Sequence, residues 1–532
     1  MVFPATTVGM DAPSPSQPSA TGVHPTGHTD PIWYRSAAAP TYEPLQVDTE
    51  ADVCIVGAGI AGLTTAYLLA RQGKSVAVID AQAVAGGESG RTSAHLSSAV
   101  DDRFMEIERV HGEAAARIQY ESHAAAIGLI EHISHSEQIA CGFKRLDAYL
   151  FPPDSNTKLL DDELAAAKRA GFADIERLDR CPAAGAVIGP CIRFGQQARF
   201  QPVQYLAGLA RRLSAMGVAI YCGSHVTDMS TKNGVVTVTT AKGPKVTAGF
   251  GVAATNVPAP INNWAGIYTK IAPYRTYMVG LQAPKGSISD ALYWDTPDPY
   301  HYARLETSTD PDHDVLIVGG ADHKTGQVTP AEQPEHFAKV ESWARRTFPG
   351  VGPLVSRWSG QVYEPDDSIA FIGAVPTSGH ENCYVITGDS GMGLTHGTLG
   401  AMLVSDLILG KQNEWAALYD PARKKLKATS EFLKENFNAV AQYTDYVTPG
   451  EVSSPDEIPA GEGAILRRGL KKVAVYRDND GVVHECSAVC THLGGIVHWN
   501  SAEKSWDCPV HGSRFGCKGK VITGPAITGL SE

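Results

Sequence analysis

The stretch ADVCIVGAGIAGLTTAYLLARQGKSVAVIDA, residues 51–81, decides the fold. An apolar run reaches Val56, a glycine turn follows, a helical pattern fills the next dozen residues, and a second apolar run ends at Asp80. That order of buried strand, turn, helix and buried strand is the opening βαβ unit of a parallel sheet. Gly57, Gly59 and Gly62 form G-x-G-x-x-G at the strand-to-helix turn, with Ile60 and Ala61 opening the helix. The first glycine lets the chain turn, the second lets backbone approach a pyrophosphate, and the third lets helix pack on strand. The helix N-terminus then faces the phosphates. Asp80, followed by Ala81, stands where a carboxylate accepts ribose hydroxyls and repels a 2′-phosphate, so FAD or NAD is favoured over NADP.

Around this unit the chain runs to 532 residues, which predicts two to four domains. It is 43% hydrophobic and 19% charged, ordinary values for a globular protein. A net charge of −12 argues against nucleic acid or an anionic membrane as the main partner, because both require clustered Lys and Arg. No uninterrupted apolar run is long enough for a membrane span: the nearest, 384–409, is broken by Asp389, His396 and Asp406. No Lys or Arg precedes Arg35, so no secretory or transit signal is read and a cytoplasmic location is expected. The ten Cys are thinly spread, which implies reduced thiols rather than a disulfide framework.

Residues 1–45, rich in Pro, Ser, Thr and Gly, are expected to form a flexible extension or a strap. Amphipathic helices are predicted between about 101 and 199, and strand alternation in 234–256, in YRTYMVGLQAP and in DVLIVGG. PARKKLKATSEFLKENFNAVAQY, 421–443, reads as a charged connecting helix, and VTPGEVSSPDEIPAGEG as a domain boundary, so 413–450 is taken as a connector.

Two further segments, GGESGRTSAHLSS (86–98) and YVITGDSGMGLTHGTLGAMLVSDLI (384–408), resemble the flavin-contacting segments of the D-amino-acid oxidase superfamily, in its glycine and sarcosine oxidase branch. The resemblance spans about 45–412 and implies non-covalent FAD. Where sarcosine oxidase relatives carry a linking Cys, this chain reads SGQVYEPDD (359–367). By the same resemblance, Gly87, Ser89, Arg91, Thr92 and His95 pass the flavin and pyrophosphate, while Ala254 and Thr255 return to the nucleotide. His225 and Val226 would flank the adenine. Gly388, Gly391, Met392, Gly393, Leu394 and Thr395 would aim a helix N-terminus at the isoalloxazine, where a positive dipole end stabilises reduced flavin. The implied architecture is an α/β (α+β) Rossmann-like FAD-binding domain from 46–102, 200–258 and 355–412. An antiparallel-sheet substrate domain from 103–199 and 259–354 covers it.

Near the end, Cys490-x-His492 and Cys508-x-x-His511 are separated by fifteen residues. Two thiolates and two imidazoles suit zinc or a Rieske-type [2Fe–2S] centre. The flanks CTHLGG and CPVHGSRF, with a later GPA, resemble Rieske domains, which implies a small all-β domain over 451–532 with two Cys on one iron and two His on the other. Gly494 and Gly512 would admit amide donors to the sulfurs, and Ser513 a hydroxyl. Gly495 and Val510 replace the disulfide cysteines of high-potential relatives, and Phe515 replaces a tyrosine that bonds a sulfur, so a lower potential is expected. Cys486 and Cys517 are read as packing or surface thiols.

In DPYHYARLE, alternation puts Tyr300, Tyr302 and Arg304 on one strand face. With His396, these are the candidate catalytic or substrate-facing residues; Tyr274, Tyr277 and His323 are further candidates. Where the resemblance would place a carboxylate-clasping Arg, this chain has Gln361 or Val362, so an amine or N-alkyl amino compound is expected rather than a simple α-amino acid. His123, His132 and His135 in ESHAAAIGLIEHISH scatter around a helix and are read as a solvated face, not a metal site. The chain is expected to be an FAD-dependent dehydrogenase or oxidase passing electrons through the cluster to a one-electron acceptor protein. The alternative is an electron-transfer component whose flavin serves a partner oxygenase; as to direction, the runner-up has the cluster feeding the flavin, and a third reading has reduced flavin reacting with oxygen.

Overall fold

The computed structural model describes residues 27–153, 157–257, 259, 267–423 and 442–532. The first strand and helix lie at Thr49–Val56 and Ile60–Ala70, with Val76–Ile79 returning in parallel. The last four residues of the first strand and all four of the second are buried, as both-faced burial in a parallel sheet requires. Among the described residues this sheet runs Phe371–Ala374, Cys383–Thr387, Lys245–Asn256, Thr49–Val56, Val76–Ile79, Ala219–Tyr221. Only its Phe371–Ala374 edge is antiparallel along that path. Helices Ile60–Ala70 and Gly393–Ile408 pack together on one face; the hairpin Val226–Lys232/Val235–Thr240 joins the Lys245–Asn256 strand and closes the other face.

A second sheet of nine strands covers the first. Its three longest strands, Ile271–Pro284, His313–Lys324 and the edge strand Leu354–Pro365, are antiparallel. Two boundaries move as a result. His95–Leu96 and Leu354–Pro365, expected with the nucleotide-binding unit, pair within this covering sheet, so the third stretch of the parallel sheet begins only at Phe371. Backbone pairing fixes that assignment, and motif spacing carries no information about it.

Residues 27–45 form the strap of the two expectations. Trp33 is 1% exposed, donates from its indole to Thr92 O at 2.7 Å, and meets Trp358 edge-on. The expected connecting helix lies mostly in 424–441, and the first part of the extension in 1–26, both outside the described residues. The last 80 residues build two small antiparallel sheets of three and four strands around Trp499, Trp506 and Phe515. Among the described residues no helix is long and apolar enough to cross a membrane.

Candidate functional site

A cavity of about 930 Å³ opens where the C-terminal ends of the parallel strands meet the covering sheet, the usual ligand position in such folds. Gly57 has φ +114°, and a Cβ there would strike the Ala254 carbonyl; one at Gly62 would strike the Gly57 carbonyl. A Cβ at Gly59 would come within 2.9 Å of Ser89 Oγ, which accepts the Ile60 amide at 3.1 Å. The turn therefore holds backbone against the cavity with no side chain intervening. Asp80 accepts the amides of Ala58 and Gln82, both at 2.7 Å, and burial raises its pKa against that pull. A glycine cradle, a helix N-terminus and an enclosed carboxylate fit a dinucleotide.

The other expected cofactor residues divide by position. Ile60, Ala61, Ala81, Gly87, Ser89 and Thr92 line the cavity, as do Val226, Ala254 and Thr255. So do Gly391, Met392, Gly393 and Leu394 at the start of helix Gly393–Ile408. Gly62, Gly388 and Thr395 stand behind that lining, Thr395 receiving or giving a bond to His123 Nδ1 at 2.8 Å. Arg91 lines the cavity, yet its guanidinium is spent on Ser359 O and, at 2.6 Å, on Glu503. His95 touches the cavity between Ser93 Oγ and Ala303 O, and burial pulls it down to about 3. His396 also lines it, 2.7 Å from Asp389 O through Nδ1 and brought down to about 4 by burial. His123 is a buried partner of His396, with ring centroids 4.5 Å apart, rather than part of a solvated face.

Tyr300 and Tyr302 share the covering-sheet half of the cavity with Tyr274, their rings 5.6 Å apart. Arg304 does not join them. The strand begins at Tyr302, and the Arg304 side chain, fully buried, bonds Ser93 O, Phe200 O and Glu306 while lying over Trp33. It braces the strap. Tyr277 and His323 bond each other at 3.0 Å and stack beside His336.

Sequence reasoning missed a group of carboxyls in this half. Asp101 accepts the Tyr300 hydroxyl at 2.5 Å, and Asp322 Oδ1 is buried without a hydrogen-bond partner. Burial, with neighbouring acids, pushes Asp101 up to about 7; burial does the same for Asp322. Glu364 is raised well above its ordinary range by burial and by Asp102, Asp389 and Asp101. Asp101 sat three residues beyond the glycine-and-serine segment and Asp322 in a strand, and neither carries a motif.

In the C-terminal domain the two ligand pairs converge. The His492 and His511 rings are 5.1 Å apart, and burial draws both imidazoles down to about 4. The Cys508 thiol, the His492 and Leu493 amides and the Ser513 hydroxyl outweigh burial and draw the Cys490 thiol down to about 7. Cys490 and burial push the Cys508 thiol well above its ordinary value, against the opposing pull of the Val510 and His511 amides. Neutral imidazoles and a readily formed thiolate among amide donors suit metal ligation. Among the described residues no three His, Cys, Asp or Glu side chains converge on a single ion. A Cβ at Gly495 would reach Val510 Cγ2 at 2.5 Å, so the positions of the missing disulfide are adjacent and apolar. Phe515 and Cys486 are buried; Cys517 is half-buried.

This domain docks on the cavity. Tyr268 presents its ring to His492 at 4.7 Å and to His511 at 6.1 Å. Gln361, on the cavity wall, donates to Gly512 O at 2.9 Å and to Tyr363 Oη at 2.8 Å. Deeper in the joint, Arg91, Arg275 and Arg514 surround Glu503 and Asp507.

A family model described as FAD dependent oxidoreductase matches residues 52–407, and one described as Rieske [2Fe-2S] domain matches 448–532. The putative Rieske 2Fe-2S iron-sulfur protein YhfW of Bacillus subtilis is 30% identical over 506 residues, covering 94% of this chain and 96% of its own. The gamma-glutamylputrescine oxidoreductase of Escherichia coli is 25% identical across 72% of this chain and 90% of its own. The glycine oxidase structure from Geobacillus kaustophilus superposes with a TM-score of 0.59 at 17% identity, covering 71% of this chain and 99% of its own.

Proposed function

Because the chain belongs to the FAD-dependent oxidoreductase family and ends in a Rieske [2Fe–2S] domain, we propose that it oxidises a cationic amine or N-alkyl amino compound and delivers the electrons through the cluster to an external one-electron acceptor. FAD supplies two-electron, hydride-type chemistry and the cluster carries one electron at a time. The glycine turn, Asp80 and the Gly391–Leu394 segment would hold FAD; Cys490, Cys508, His492 and His511 would hold the cluster. Among the described residues no Cys lines the cavity, in keeping with non-covalent flavin.

The observation that carries the substrate class is the carboxyl-rich, aromatic wall formed by Asp101, Asp322, Tyr300 and Tyr302. Gln361, standing where an Arg would clasp a carboxylate, is turned to Gly512. Two arginines line this half: Arg103 is held by Thr296 O at 2.5 Å, and Arg109 is exposed and paired with Glu106. An amine arrives as an ammonium ion, whereas hydride departure needs the neutral amine. Asp322 Oδ1, poised near neutrality and without a partner, is the atom assigned to take that proton. The relative named gamma-glutamylputrescine oxidoreductase acts, by its name, on an amine-bearing compound, which agrees with this reading. The contacts of Tyr268 and Gln361 with the cluster loops support the flavin cavity as the cluster's electron source.

The test is anaerobic mixing of the purified protein with a panel of amines and N-methyl amino acids. Flavin bleaching followed by the paramagnetic signal of the reduced cluster is expected. Bleaching by NADH alone, with every amine inert, would replace this reading with that of a component serving a partner oxygenase.

A further inference from the structure

The FAD cavity is not closed by the oxidoreductase unit alone. Val521, Ile522, Thr523, Gly524, Ala526 and Ile527, all within the cluster domain, line it together with Asp80, Gln82, His225 and Val226. Asp80 and the glycine turn mark the ribose and pyrophosphate, so these six residues lie over the adenosine half. Two side chains from the oxidoreductase unit clamp the segment there. Gln82 Nε2 donates to Ile522 O at 3.0 Å, and His225 Nε2 donates to Ile527 O at 2.8 Å. Gln82 is itself tied to the nucleotide-binding acid, since its amide donates to Asp80 Oδ1 at 2.7 Å.

The segment is also tied to the cluster. Strand Val521–Thr523 pairs with Arg514–Gly516, which follows the ligand loop directly. The Ala526 amide donates to Ser513 Oγ at 3.0 Å, two residues past the ligand His511. One short segment thus touches the nucleotide cavity on one side and the end of the cluster-ligand loop on the other.

We propose that Val521–Ile527 is part of the FAD site, a roof over the adenosine half, so that FAD binding and docking of the cluster domain stabilise each other. Linkage makes the effect reciprocal: whatever binds only the docked state favours docking, and undocking loosens the cofactor. FAD leaves only after the roof lifts. This inference concerns cofactor retention and does not depend on the substrate class.

Hydrogen exchange on the full-length native chain, stripped of FAD and reconstituted, tests it without mutation. Amides of 519–528 are expected to exchange more slowly with FAD bound, while those of the outer strand Lys471–Arg477 stay unchanged. In the second arm, Gln82→Ala/His225→Ala removes both clamps, and FAD release followed by flavin fluorescence should quicken roughly ten-fold. Equal exchange of 519–528 with and without FAD, or release from the double variant at the native rate, overturns the proposal.

Discussion

Ser513 shows how much a single hydroxyl carries. It accepts the Ala526 amide at 3.0 Å and sits close enough to Cys490 to lower that thiol's pKa. A hydrogen bond to a cluster sulfur favours the reduced, more negative state. Ser513→Ala should therefore lower the cluster potential; a difference of about 1 kcal/mol between oxidation states corresponds to about 40 mV for one electron. Redox titration followed by the cluster's magnetic signal measures it, and an unmoved or raised potential contradicts it. Asp101 and Asp322 act through charge instead. Each is pushed up to about 7, above the unfolded carboxyl value, so binding an ammonium ion expels a proton at lower pH. Affinity for a non-oxidisable amine should weaken by about ten-fold per unit for each carboxyl that must ionise as pH falls below about 7, and Asp322→Asn should make that slope shallower by one proton. The sign for folding is the opposite: without a cation these two groups favour the protein below about pH 4 and cost stability as pH rises towards 7. The ligands Cys490, His492, Cys508 and His511 are legible in sequence because their chemistry is local and their spacing short. Asp322 is not, because an acid in a strand acquires meaning only from the Tyr302 and Asp101 that the fold brings beside it.

At the scale of elements, the glycine turn is the part sequence describes best, since strand, turn and helix are contiguous and each glycine has a steric reason. Gly62 is the strictest, because any Cβ there meets the Gly57 carbonyl. Gly62→Ala should force helix Ile60–Ala70 away from its strand and release FAD. Loss of bound flavin absorbance on gel filtration is the measurement, and a variant that retains stoichiometric FAD would show the turn to be looser than these contacts imply. Strand alternation fares less well in DPYHYARLE. Tyr302 and Arg304 do share parity, but the cavity ends at Tyr302 while Arg304 reaches Phe200 O and the strap. Period two reports which face a side chain leaves from, not what that face meets. The strap has the reverse problem: low hydrophobicity between Pro and Ser residues reads as disorder, yet one buried Trp33 anchors it.

At the scale of the molecule, the joint between the two redox units rests on contacts hundreds of residues apart in sequence, which no local pattern encodes. Glu503 is its centre. It pairs with Arg91 at 2.6 Å with both side chains nearly inaccessible, and it also bonds Thr29 and Ser359. Burial raises the Glu503 carboxyl, but Arg91, Arg275 and Arg514 outweigh that and hold it well below the usual carboxylate range. A depressed folded pKa supplies stability that is present above the unfolded value of about 4.5 and is lost as pH falls beneath it, so the joint should weaken in acid. Removing the charge is harsher than titrating it, because Arg91 then loses its buried carboxylate partner while Arg275 and Arg514 are left to Asp507. Breaking a buried pair by deleting one partner costs about 3–5 kcal/mol, most of it the uncompensated charge. Glu503→Ala should therefore lower the urea midpoint and separate two signals that coincide in the native protein: flavin fluorescence, reporting cofactor release, and visible circular dichroism of the cluster. Flavin should leave first, since the joint borders the Arg91 segment of the cavity, while the cluster domain keeps its own core around Trp499, Trp506 and Phe515. Two curves that remain superimposed at the native midpoint would mean that the buried ions decorate an interface held by something else.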